Sequence, residues 1–378
     1  MRISSSFDSG AIEVVRLDDA ADVRLRLRPD NAADFHQWFH FRLTGAAGRP
    51  LRMVFENAAT AAYPDGWPGY RCVASYDRQH WFRIAGTRFE NGELVVEHTP
   101  AHDSVYYAYF EPYSHERHLD LIARAERSPD VRVRSLGSTV DGRDLDLVVV
   151  GREAPGRVPV WIIARQHPGE TMAEWFVEGL LERLLDGADP VARRLREQAL
   201  LCIVPNMNPD GAVRGNLRTN AAGRNLNREW RDPDPLASPE VFLVRAAMER
   251  TGCALFLDIH GDEALPYVFF STAEEVPGFT AAAAAAQARF VETFRAVSPD
   301  FQTEEGYKPG RFGEELLTLA SKWVANHFGC VSLTLEMPFK DNAILPDAEA
   351  GWNGARSKRL GAAMLNPILR HLEEAPGR

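Results

Sequence analysis

The sequence is poor in cysteine, with four in 378 residues: Cys72, Cys202, Cys253 and Cys330. They are far apart and none belongs to a C-x-x-C pair, which argues against a disulfide framework or a cysteine-rich zinc site. Three of them lie in apolar runs typical of strands, where a cysteine behaves as a small buried hydrophobic residue. We therefore expect a protein of a reducing compartment, the cytoplasm.

The sequence also lacks a long apolar run, a secretory leader and an excess of basic residues. No stretch reaches the roughly 18 uncharged apolar residues of a membrane helix. The N-terminal residues MRISSSFDSGAIEVVRL have neither the apolar core nor the cleavage site of a signal peptide. The formal net charge is -10, which disfavours nucleic acid and anionic membranes as partners. We expect neither partner, and no pattern in the sequence specifies an oligomeric state.

The length and the distribution of patterns predict two domains. A chain of 378 residues is too long for one ordinary domain. Residues 1–112 contain short runs rich in β-branched and aromatic residues, separated by turn signals such as Asn91-Gly92 and Pro64-Asp65-Gly66. We predict an all-β sandwich over residues 1–112 and a second domain over residues 113–378.

Strands and helices alternate in the second region. Residues 114–128 have the periodicity of an amphipathic helix. The strand-like runs that follow are VPVWIIA, ALLCIVP, ALFLDIH and CVSLTLEM, and helical segments such as TMAEWFVEGLLERLLDG and SPEVFLVRAAMERTG separate them. This alternation predicts an α/β domain on a largely parallel or mixed sheet. Open sheets of this kind place functional residues at the carboxyl ends of their strands.

Histidine and glutamate stand at the ends of two of these strands. His167 and Glu170 come directly after VPVWIIA, and His260 ends ALFLDIH. Two ligands close in sequence and one distant ligand form a common catalytic zinc arrangement, which leaves one coordination position open. A His-x-x-Glu pair alone is weak evidence, because it also arises by chance in a chain with 11 histidines. His327, which precedes the last strand, is a reserve candidate.

A polar segment and a glutamate follow other strands. Residues 205–230 are rich in asparagine, glycine and arginine, so we predict a loop there. Arginine can bind a carboxylate through two parallel hydrogen bonds, although a solvated basic loop has the same composition. The arginines of this segment are Arg214, Arg218, Arg224 and Arg228. Glu336 ends CVSLTLEM, where a carboxylate needs water, a metal or a partner, so it is either a general base or half of a salt bridge.

Taken together, these segments resemble the zinc carboxypeptidase family. The matching motifs, in family order, are His-Pro-Gly-Glu at 167–170, Asn-Pro-Asp-Gly at 208–211, Arg218, Leu-Asn-Arg at 226–228, Asp-Ile-His-Gly at 258–261 and Thr-Leu-Glu at 334–336. Gly-Arg-Asn-Leu-Asn-Arg at 223–228, Pro112-Tyr113 and the preceding β-rich region resemble the cytosolic carboxypeptidase branch. The resemblance implies a mixed-sheet α/β carboxypeptidase domain preceded by an all-β sandwich domain.

The resemblance also implies a metallocarboxypeptidase that hydrolyses the C-terminal peptide or isopeptide bond of peptides or proteins. One Zn²⁺ per chain would be held by His167, Glu170 and His260. Glu336 would take a proton from zinc-activated water and pass it to the leaving amine. Oxyanion stabilisation would fall to Arg218, and the substrate's α-carboxylate would be held by Asn227 and Arg228.

Two features depart from the family pattern. The tyrosine that often closes over the substrate would fall at position 314, which is Glu314 here, and Tyr307 is the nearest tyrosine for that role. The cytosolic branch often has histidine after Asp-Ile-His-Gly, whereas Asp262 and Glu263 follow here. These two residues add negative charge near the expected metal.

Three basic residues lie in or just before the segment that carries the family's specificity residues: Lys308, Arg311 and Lys322. A basic side chain in the pocket would favour a C-terminal Glu or Asp, the preference known for the cytosolic branch. Alternatively, these side chains are simply solvated.

Two other functions compete with the carboxypeptidase. A related zinc amidohydrolase acting on an acylated amino acid would use the same metal ligands, but it would not need Asn227 and Arg228 in this spacing. A binding or scaffold protein would have a degenerate metal site, whereas all three ligands and Glu336 are present. We therefore favour the carboxypeptidase.

Overall fold

The computed structural model describes residues 1–152, 154 and 156–374, and the first part of the chain is built from strands. These strands are β1 (Arg2–Ser4), β2 (Glu13–Arg16), β3 (Val23–Arg26), β4 (His40–Thr44), β5 (Leu51–Phe55), β6 (Val73–Ser75), β7 (Phe82–Arg83), β8 (Gly86–Glu90), β9 (Glu93–His98) and β10 (Ser104–Ala108). They pair into two five-stranded sheets, in the orders β1–β4–β10–β6–β7 and β2–β3–β5–β9–β8.

The two sheets pack face to face and form the predicted sandwich. Along β4, Phe41 and Leu43 are buried while Arg42 between them is exposed, the alternation of a strand with one face on the core. The Phe41 ring lies 6.4 Å, centroid to centroid, from Phe55 of the other sheet. The predicted turn at Asn91-Gly92 joins β8 to β9 with φ of 53° and 82°, as a two-residue hairpin of this type requires.

The second part of the chain forms a seven-stranded sheet. Its strands are β11 (Val131–Ser138), β12 (Asp144–Val150), β13 (Val158–Ala164), β14 (Ala199–Val204), β15 (Leu255–Asp262), β16 (Phe269–Ser271) and β17 (Val331–Pro338). The sheet order is β11–β12–β14–β13–β15–β17–β16. The central strands β14, β13, β15 and β17 are parallel, and the outer pairings are antiparallel. The predicted mixed α/β sheet is confirmed.

Helices connect these strands, and two helices follow the last strand. They are α1 (His115–Glu126), α2 (Met172–Leu184), α3 (Pro190–Gln198), α4 (Pro209–Arg214), α5 (Pro239–Thr251), α6 (Ala281–Val297), α7 (Ala320–Phe328), α8 (Gly354–Ala363) and α9 (Leu365–Glu374). The helices predicted at α1, α2 and α5 are confirmed. Among the described residues, no helix is both long and apolar enough to span a membrane.

The prediction of a continuous loop over residues 205–230 is wrong in part. Helix α4 lies within it, and Leu226–Arg228 forms a 3₁₀ turn. Oδ1 of Asn208 accepts the Gly211 N–H at 3.0 Å, Pro209 follows at the first helical position, and Gly215 ends the helix with φ of 70°. Asparagine, proline and glycine indicate a loop by composition, but in this order they are also the capping residues of a short helix.

The parallel register brings the predicted functional residues to one edge of the sheet. β13 ends at Ala164, which lies opposite Ile259 of β15, and His167 follows three residues later. β15 pairs with β17 so that His260 is opposite Glu336. Because the carboxyl ends of parallel strands meet at one edge, these side chains share a single region.

The sandwich packs directly on the α/β part. Tyr109 stacks on Phe339, which follows β17, with ring centroids 4.7 Å apart. The buried Arg83 guanidinium donates to the carbonyls of Phe339 and Trp352, both at 2.8 Å. Strands β1–β10 precede residue 112 and β11–β17 follow residue 113. The division into domains at residue 112 stays a prediction, and residues 375–378 of the second domain lie outside the described residues.

Helices α2 and α8 cross closely at Gly179, where a Cβ atom would be 2.0 Å from the Lys358 carbonyl oxygen. We expect Gly179→Ala to lower the free energy of unfolding by about 1–3 kcal/mol, the usual cost of overpacking, as measured by urea unfolding. Gly187→Ala is the control and should change stability little, because a Cβ at Gly187 meets no described atom within 4 Å. An unchanged unfolding curve for Gly179→Ala would contradict the close contact between α2 and α8 at this residue.

Candidate active site

Three buried side chains converge where β13 and β15 end: His167, Glu170 and His260. Nδ1 of His167 is 2.7 Å from Oε1 of Glu170, and Nδ1 of His260 is 2.7 Å from Oε2 of the same carboxylate. The two Nδ1 atoms are 3.1 Å apart. All three potential ligand atoms lie within 4.8 Å of one another, so one ion can contact them all. Two imidazoles and a carboxylate are a ligand set that zinc accepts.

The outer nitrogens of both imidazoles contact polar side chains. Nε2 of His167 is 3.0 Å from Oδ1 of Asn225, and Nε2 of His260 is 2.9 Å from Oδ1 of Asp258. Such contacts orient the rings and leave Nδ1 as the ligand atom. Burial, together with the charge of Arg218, lowers the pKa of His167 to about 3, so its ring is in the neutral form that a metal binds.

The charges around His260 suit a cation. Burial disfavours a charged ring, but Asp258 and Glu170 outweigh burial and hold the pKa of His260 well above its usual value. The same two carboxylates favour a divalent ion, and metal binding displaces the ring proton. The residues present therefore fit zinc both in donor type and in charge.

The turn between β13 and α2 is fixed by Arg165 and Gly169. Nε of the buried Arg165 donates to the Pro168 carbonyl at 3.0 Å. The Gly169 N–H donates to the Leu217 carbonyl at 2.9 Å, and a Cβ at Gly169 would come within 2.9 Å of that oxygen. Position 169 therefore requires glycine, because any larger residue would clash with the Leu217 carbonyl.

Glu336 lies beside the ligand cluster, in register with His260. Its Oε1 is 3.0 Å from the Tyr307 hydroxyl, and its buried Oε2 has no hydrogen-bond partner among the described residues. Burial, reinforced by the charges of Glu170 and Asp262, raises the pKa of Glu336 to about 8. A carboxylate with a free oxygen and a pKa near neutrality is suited to accept and return a proton.

Two of the four arginines from residues 205–230, Arg218 and Arg228, line the cavity beside these groups. Nη1 of Arg218 is 3.4 Å from Oε1 of Glu170. The buried Nε of Arg218 has no hydrogen-bond partner in the part of the chain that the structure describes, so it can donate to a ligand. Arg214 and Arg224 instead form ion pairs with carboxylates elsewhere.

Asn227 and Arg228 lie on the 3₁₀ turn and line the same cavity. Oδ1 of Asn227 accepts the Ala320 N–H at 2.8 Å, so its NH₂ group is the end of the amide available to a carboxylate. Nε of Arg228 is 3.1 Å from Oε2 of Glu315, whose side chain is 67% exposed. An ion pair this exposed contributes little to stability, so the Arg228 guanidinium is not committed to Glu315.

The three basic residues predicted for the specificity pocket all line the cavity, but in different settings. Lys308 and Arg311 are exposed at the rim, whereas Lys322 is buried. Nζ of Lys322 donates to Oγ of Ser271 at 3.1 Å and to the Thr272 carbonyl. Burial lowers the pKa of Lys322 to about 8. Lys322 is thus not a solvated side chain.

Tyr307 is brought to the site, next to Glu336. Its hydroxyl lies 2.8 Å from Oδ2 of Asp262 and 3.0 Å from Oε1 of Glu336, and the Arg311 guanidinium covers its ring at 3.8 Å. Glu314, at the position where the family often has tyrosine, is exposed. Tyr307 therefore contacts Glu336 from a position seven residues before the one where the family often has its tyrosine.

The cavity has a volume of about 790 Å³, and every residue to which the family resemblance gives a role lines it, whereas the reserve metal candidate His327 is not among the lining residues. The prediction missed the contribution of the sandwich, which lines the cavity through Tyr63, Pro64 and Asp65. Pro64 and Asp65 were recognised only as part of a turn and Tyr63 was not singled out, and no local signal marks a turn that will reach another part of the chain. Asp262 and Glu263, noticed as a departure from the family, are buried in the cavity wall.

Family comparison agrees with this geometry. Residues 3–110 match the model of the cytosolic carboxypeptidase N-terminal domain, and residues 118–354 match that of zinc carboxypeptidase. Mouse cytosolic carboxypeptidase 1 is 26% identical over 320 residues, which cover 71% of this chain and 26% of the mouse protein. The chain thus corresponds to about a quarter of that relative's length.

Two solved structures are similar over nearly the whole chain. A metallo-carboxypeptidase from Burkholderia cenocepacia is 55% identical, covering 98% of this chain and 99% of its own, with a TM-score of 0.96. A metallo-carboxypeptidase from Pseudomonas aeruginosa, in complex with (2-guanidinoethylmercapto)succinic acid, is 45% identical, covering 99% of this chain and 100% of its own, with a TM-score of 0.95. The chain therefore belongs to the zinc carboxypeptidase family, in its cytosolic carboxypeptidase branch, and is a zinc-dependent hydrolase of peptide bonds.

Proposed function

We propose that this enzyme removes the last residue from peptide or protein C-termini, with a preference for Glu or Asp. The observation that carries the proposal is one cavity that holds a His-Glu-His ligand cluster, a glutamate with a free oxygen and two arginines. The cluster and the glutamate provide for hydrolysis. The arginines provide for the two negatively charged oxygens of the reaction, one on the scissile carbonyl and one on the substrate's terminus.

His167, Glu170 and His260 are the proposed ligands of one zinc ion. Their facing atoms are 2.7–3.1 Å apart, and Asn225 and Asp258 hold the rings in the orientation this requires. The chemistry supplied by bound zinc is polarisation of the scissile carbonyl and a lower pKa for the attacking water.

Glu336 is the proposed general base and acid. Its Oε2 accepts a proton from the attacking water, and the same proton is then delivered to the nitrogen of the leaving amine as the C–N bond breaks. The contact between Tyr307 and Oε1, at 3.0 Å, holds the carboxylate so that Oε2 is the oxygen left for this transfer.

Arg218 is the proposed donor to the carbonyl oxygen as negative charge develops on it. Its Nε is buried and free among the described residues, and removing one donor of this kind typically costs about 10²–10³ in rate. Because Arg218 is held before the reaction begins, its charge needs no rearrangement in the transition state.

Asn227 and Arg228 are the proposed clamp for the α-carboxylate of the last residue. The exposed carboxylate of Glu315 already contacts Arg228, in the way proposed for the α-carboxylate of the substrate. The Pseudomonas aeruginosa enzyme binds a substituted succinic acid, which is a dicarboxylic acid, and this supports carboxylate binding in such a cavity. The same compound also carries a positively charged guanidino group, so it gives no support to an acidic last residue, and the proposed preference for Glu or Asp rests on Lys322 instead.

Lys322 is the proposed recognition group for an acidic side chain. It is a buried cation in the wall of the cavity that also contains Glu336, and a buried charge is stable only with a partner. Lys308 and Arg311 lie at the rim and add positive charge along the entrance. Tyr307, between the rim and Glu336, is placed to contact the bound residue.

We also propose that the enzyme works in the cytoplasm. Among the described residues, Cys72 and Cys253 are buried and belong to no disulfide, as expected of a protein that does not use disulfides. The mouse relative is named a cytosolic carboxypeptidase.

Replacing a proposed ligand should release the metal. We expect His260→Ala to retain far less than one zinc per chain after dialysis, measured by inductively coupled plasma mass spectrometry, because only two donors of the cluster remain. His327→Ala is the control and should keep its zinc, because His327 lies outside the cluster and stacks on Trp323 at 4.6 Å. Stoichiometric zinc in His260→Ala would show that this assignment is wrong.

Removing the proposed base should abolish turnover without removing the metal. We expect Glu336→Gln to lower kcat by about 10²–10⁴-fold, the usual contribution of a general acid–base group, with zinc content unchanged. The assay is release of the last residue of a peptide, followed by mass spectrometry. Near-normal turnover with zinc bound would refute the role of Glu336.

A peptide with an amidated C-terminus serves as the control substrate in that assay. It lacks the charge that Asn227 and Arg228 are proposed to bind, so the wild-type enzyme should leave it intact while it shortens the free acid. Equal hydrolysis of both peptides would reject the exopeptidase, whereas failure to cleave any peptide with zinc bound would favour the amidohydrolase.

Removing the buried cation should change the preference for the last residue. We expect Lys322→Met to reduce kcat/KM for a peptide ending in Glu by about ten- to a hundredfold relative to one ending in Gln, because a hydrogen bond to a charged group is worth about 1.5–3 kcal/mol. Lys340→Met is the matched control: Lys340 is also buried, but it donates to the main-chain carbonyls of Asp65 and Pro68 and is not itself among the residues that line the cavity. An unchanged Glu-to-Gln ratio in Lys322→Met would reject this pocket.

The pH dependence gives a second measure of the same group. Because burial lowers the pKa of Lys322 to about 8, the free enzyme carries this charge below that pH and loses it above. The Glu-to-Gln ratio of kcat/KM, which reports on the free enzyme, should have its full value well below pH 8, where Lys322 is charged, and should decline as the pH rises through about 8. In Lys322→Met the ratio should not vary with pH.

A further inference from the structure

The segment that carries Arg218 is held by a carboxylate from the β-sandwich. Asp30, between β3 and β4, is only 5% exposed. Its Oδ1 accepts the Leu217 N–H at 2.5 Å. Its Oδ2 accepts the N–H groups of Arg218 and Thr219 at 2.9 and 2.8 Å and the Thr219 hydroxyl at 2.9 Å. All these contacts come from donors, so an ionised carboxylate matches them and an amide of the same shape does not.

The next residue, Asn31, extends this attachment. Its N–H donates to Oδ1 of Asn216 at 3.2 Å, and its Nδ2 donates to the Ala221 carbonyl at 2.6 Å. Nδ2 of Asn216 donates back to Oδ1 of Asn31 at 2.7 Å. Residues 216–221 are therefore tied to the sandwich on both sides of Arg218.

The side chain of Arg218 also rests on the sandwich. Its guanidinium carbon lies 5.1 Å from the ring centroid of Tyr63, within the range of a cation–π contact. The backbone of Tyr63 is fixed by the buried Gln37, whose Oε1 accepts the Tyr63 N–H at 2.8 Å and whose Nε2 donates to the Tyr63 carbonyl at 3.0 Å. The sandwich thus contacts both the main chain and the guanidinium of Arg218.

We propose that Asp30 is a positioning residue for catalysis and that the β-sandwich, through Asp30 and Tyr63, completes the active site by fixing Arg218 against the scissile carbonyl. The inference rests on the proposed role of Arg218 as the oxyanion donor. Such a donor acts because it is in place before charge develops, and a displacement of about 1 Å can cost about a hundredfold in rate. The α-carboxylate clamp and Lys322 lie on other elements, so a change at Asp30 affects kcat far more than KM.

The test compares the zinc-loaded, full-length enzyme with Asp30→Asn, Arg218→Met and the double variant. Asp30→Asn is expected to lower kcat by roughly ten- to a hundredfold while KM stays within about threefold. In the Arg218→Met background it should have no further effect, because both changes disable the same donor. Wild-type kcat in Asp30→Asn, or an equal loss in both backgrounds, overturns the proposal.

Asp8→Asn distinguishes positioning of Arg218 from general contact between the sandwich and the α/β part. Asp8 also accepts a main-chain N–H from the α/β part, that of His115 at 2.6 Å, but on α1 rather than on the segment of Arg218. This variant should keep kcat near the wild-type value, and a loss equal to that of Asp30→Asn overturns the proposal. An unchanged kcat in Arg218→Met would instead refute the role of Arg218 itself, so the two failures are distinguishable.

Thr219→Val provides a milder change should Asp30→Asn fail to fold. It removes one of the donors to Asp30 and leaves the carboxylate in place. It is expected to lower kcat severalfold in the wild-type background and not at all with Arg218→Met. Equal effects in both backgrounds overturn the proposal, and zinc content and thermal unfolding midpoints are recorded for every variant.

Discussion

The parallel pairing of β15 with β13 and β17 is the constraint on which the site depends. It sets His260 opposite Glu336 on one side and brings the end of β13 alongside on the other. His167 and His260, 93 residues apart in sequence, consequently meet with their Nδ1 atoms at 3.1 Å. A slip of one residue in either pairing would turn a functional side chain to the opposite face of the sheet. The register of these strands therefore also fixes the geometry of the metal site.

This convergence concentrates negative charge in a buried space. Four carboxylates are buried in the cavity wall: Glu170, Asp262, Glu263 and Glu336. Burial raises the pKa of Glu263 and of Glu336, because a desolvated carboxylate without a partner is unstable as an anion. Positive charge from Arg218 and from a bound zinc ion offsets this cost, so metal binding and the stability of the site are linked. The same desolvation leaves Glu336 able to take up a proton near neutral pH.

Local signals explain why the α/β part could be predicted so well. Apolar runs identified the strands, and His167, His260 and Glu336 stand at or just past their ends, so their meeting followed from the rule for parallel sheets. The segment around Asn208 was misjudged because its capping residues are also loop residues. The burial of Lys322 and the approach of Tyr307 to Glu336 depend on how α7 and the preceding turn pack, which no periodicity records. Asp30 and Tyr63 lay beyond prediction, because nothing near them in sequence marks a partner that lies 187–189 residues from Asp30 and 155 residues from Tyr63.

The elements that carry the site differ in how they are held in place. The ligands and Glu336 lie on or next to strands whose register is fixed by the sheet. Arg218 lies between α4 and the 3₁₀ turn, in a segment without regular structure of its own. Ordering each residue of such a segment costs about 1–2 kcal/mol, and buried hydrogen bonds to one carboxylate offset part of that cost. Because those bonds come from Asp30, the precision of a loop-borne arginine is supplied by the sandwich, which makes the sandwich a structural part of the active site.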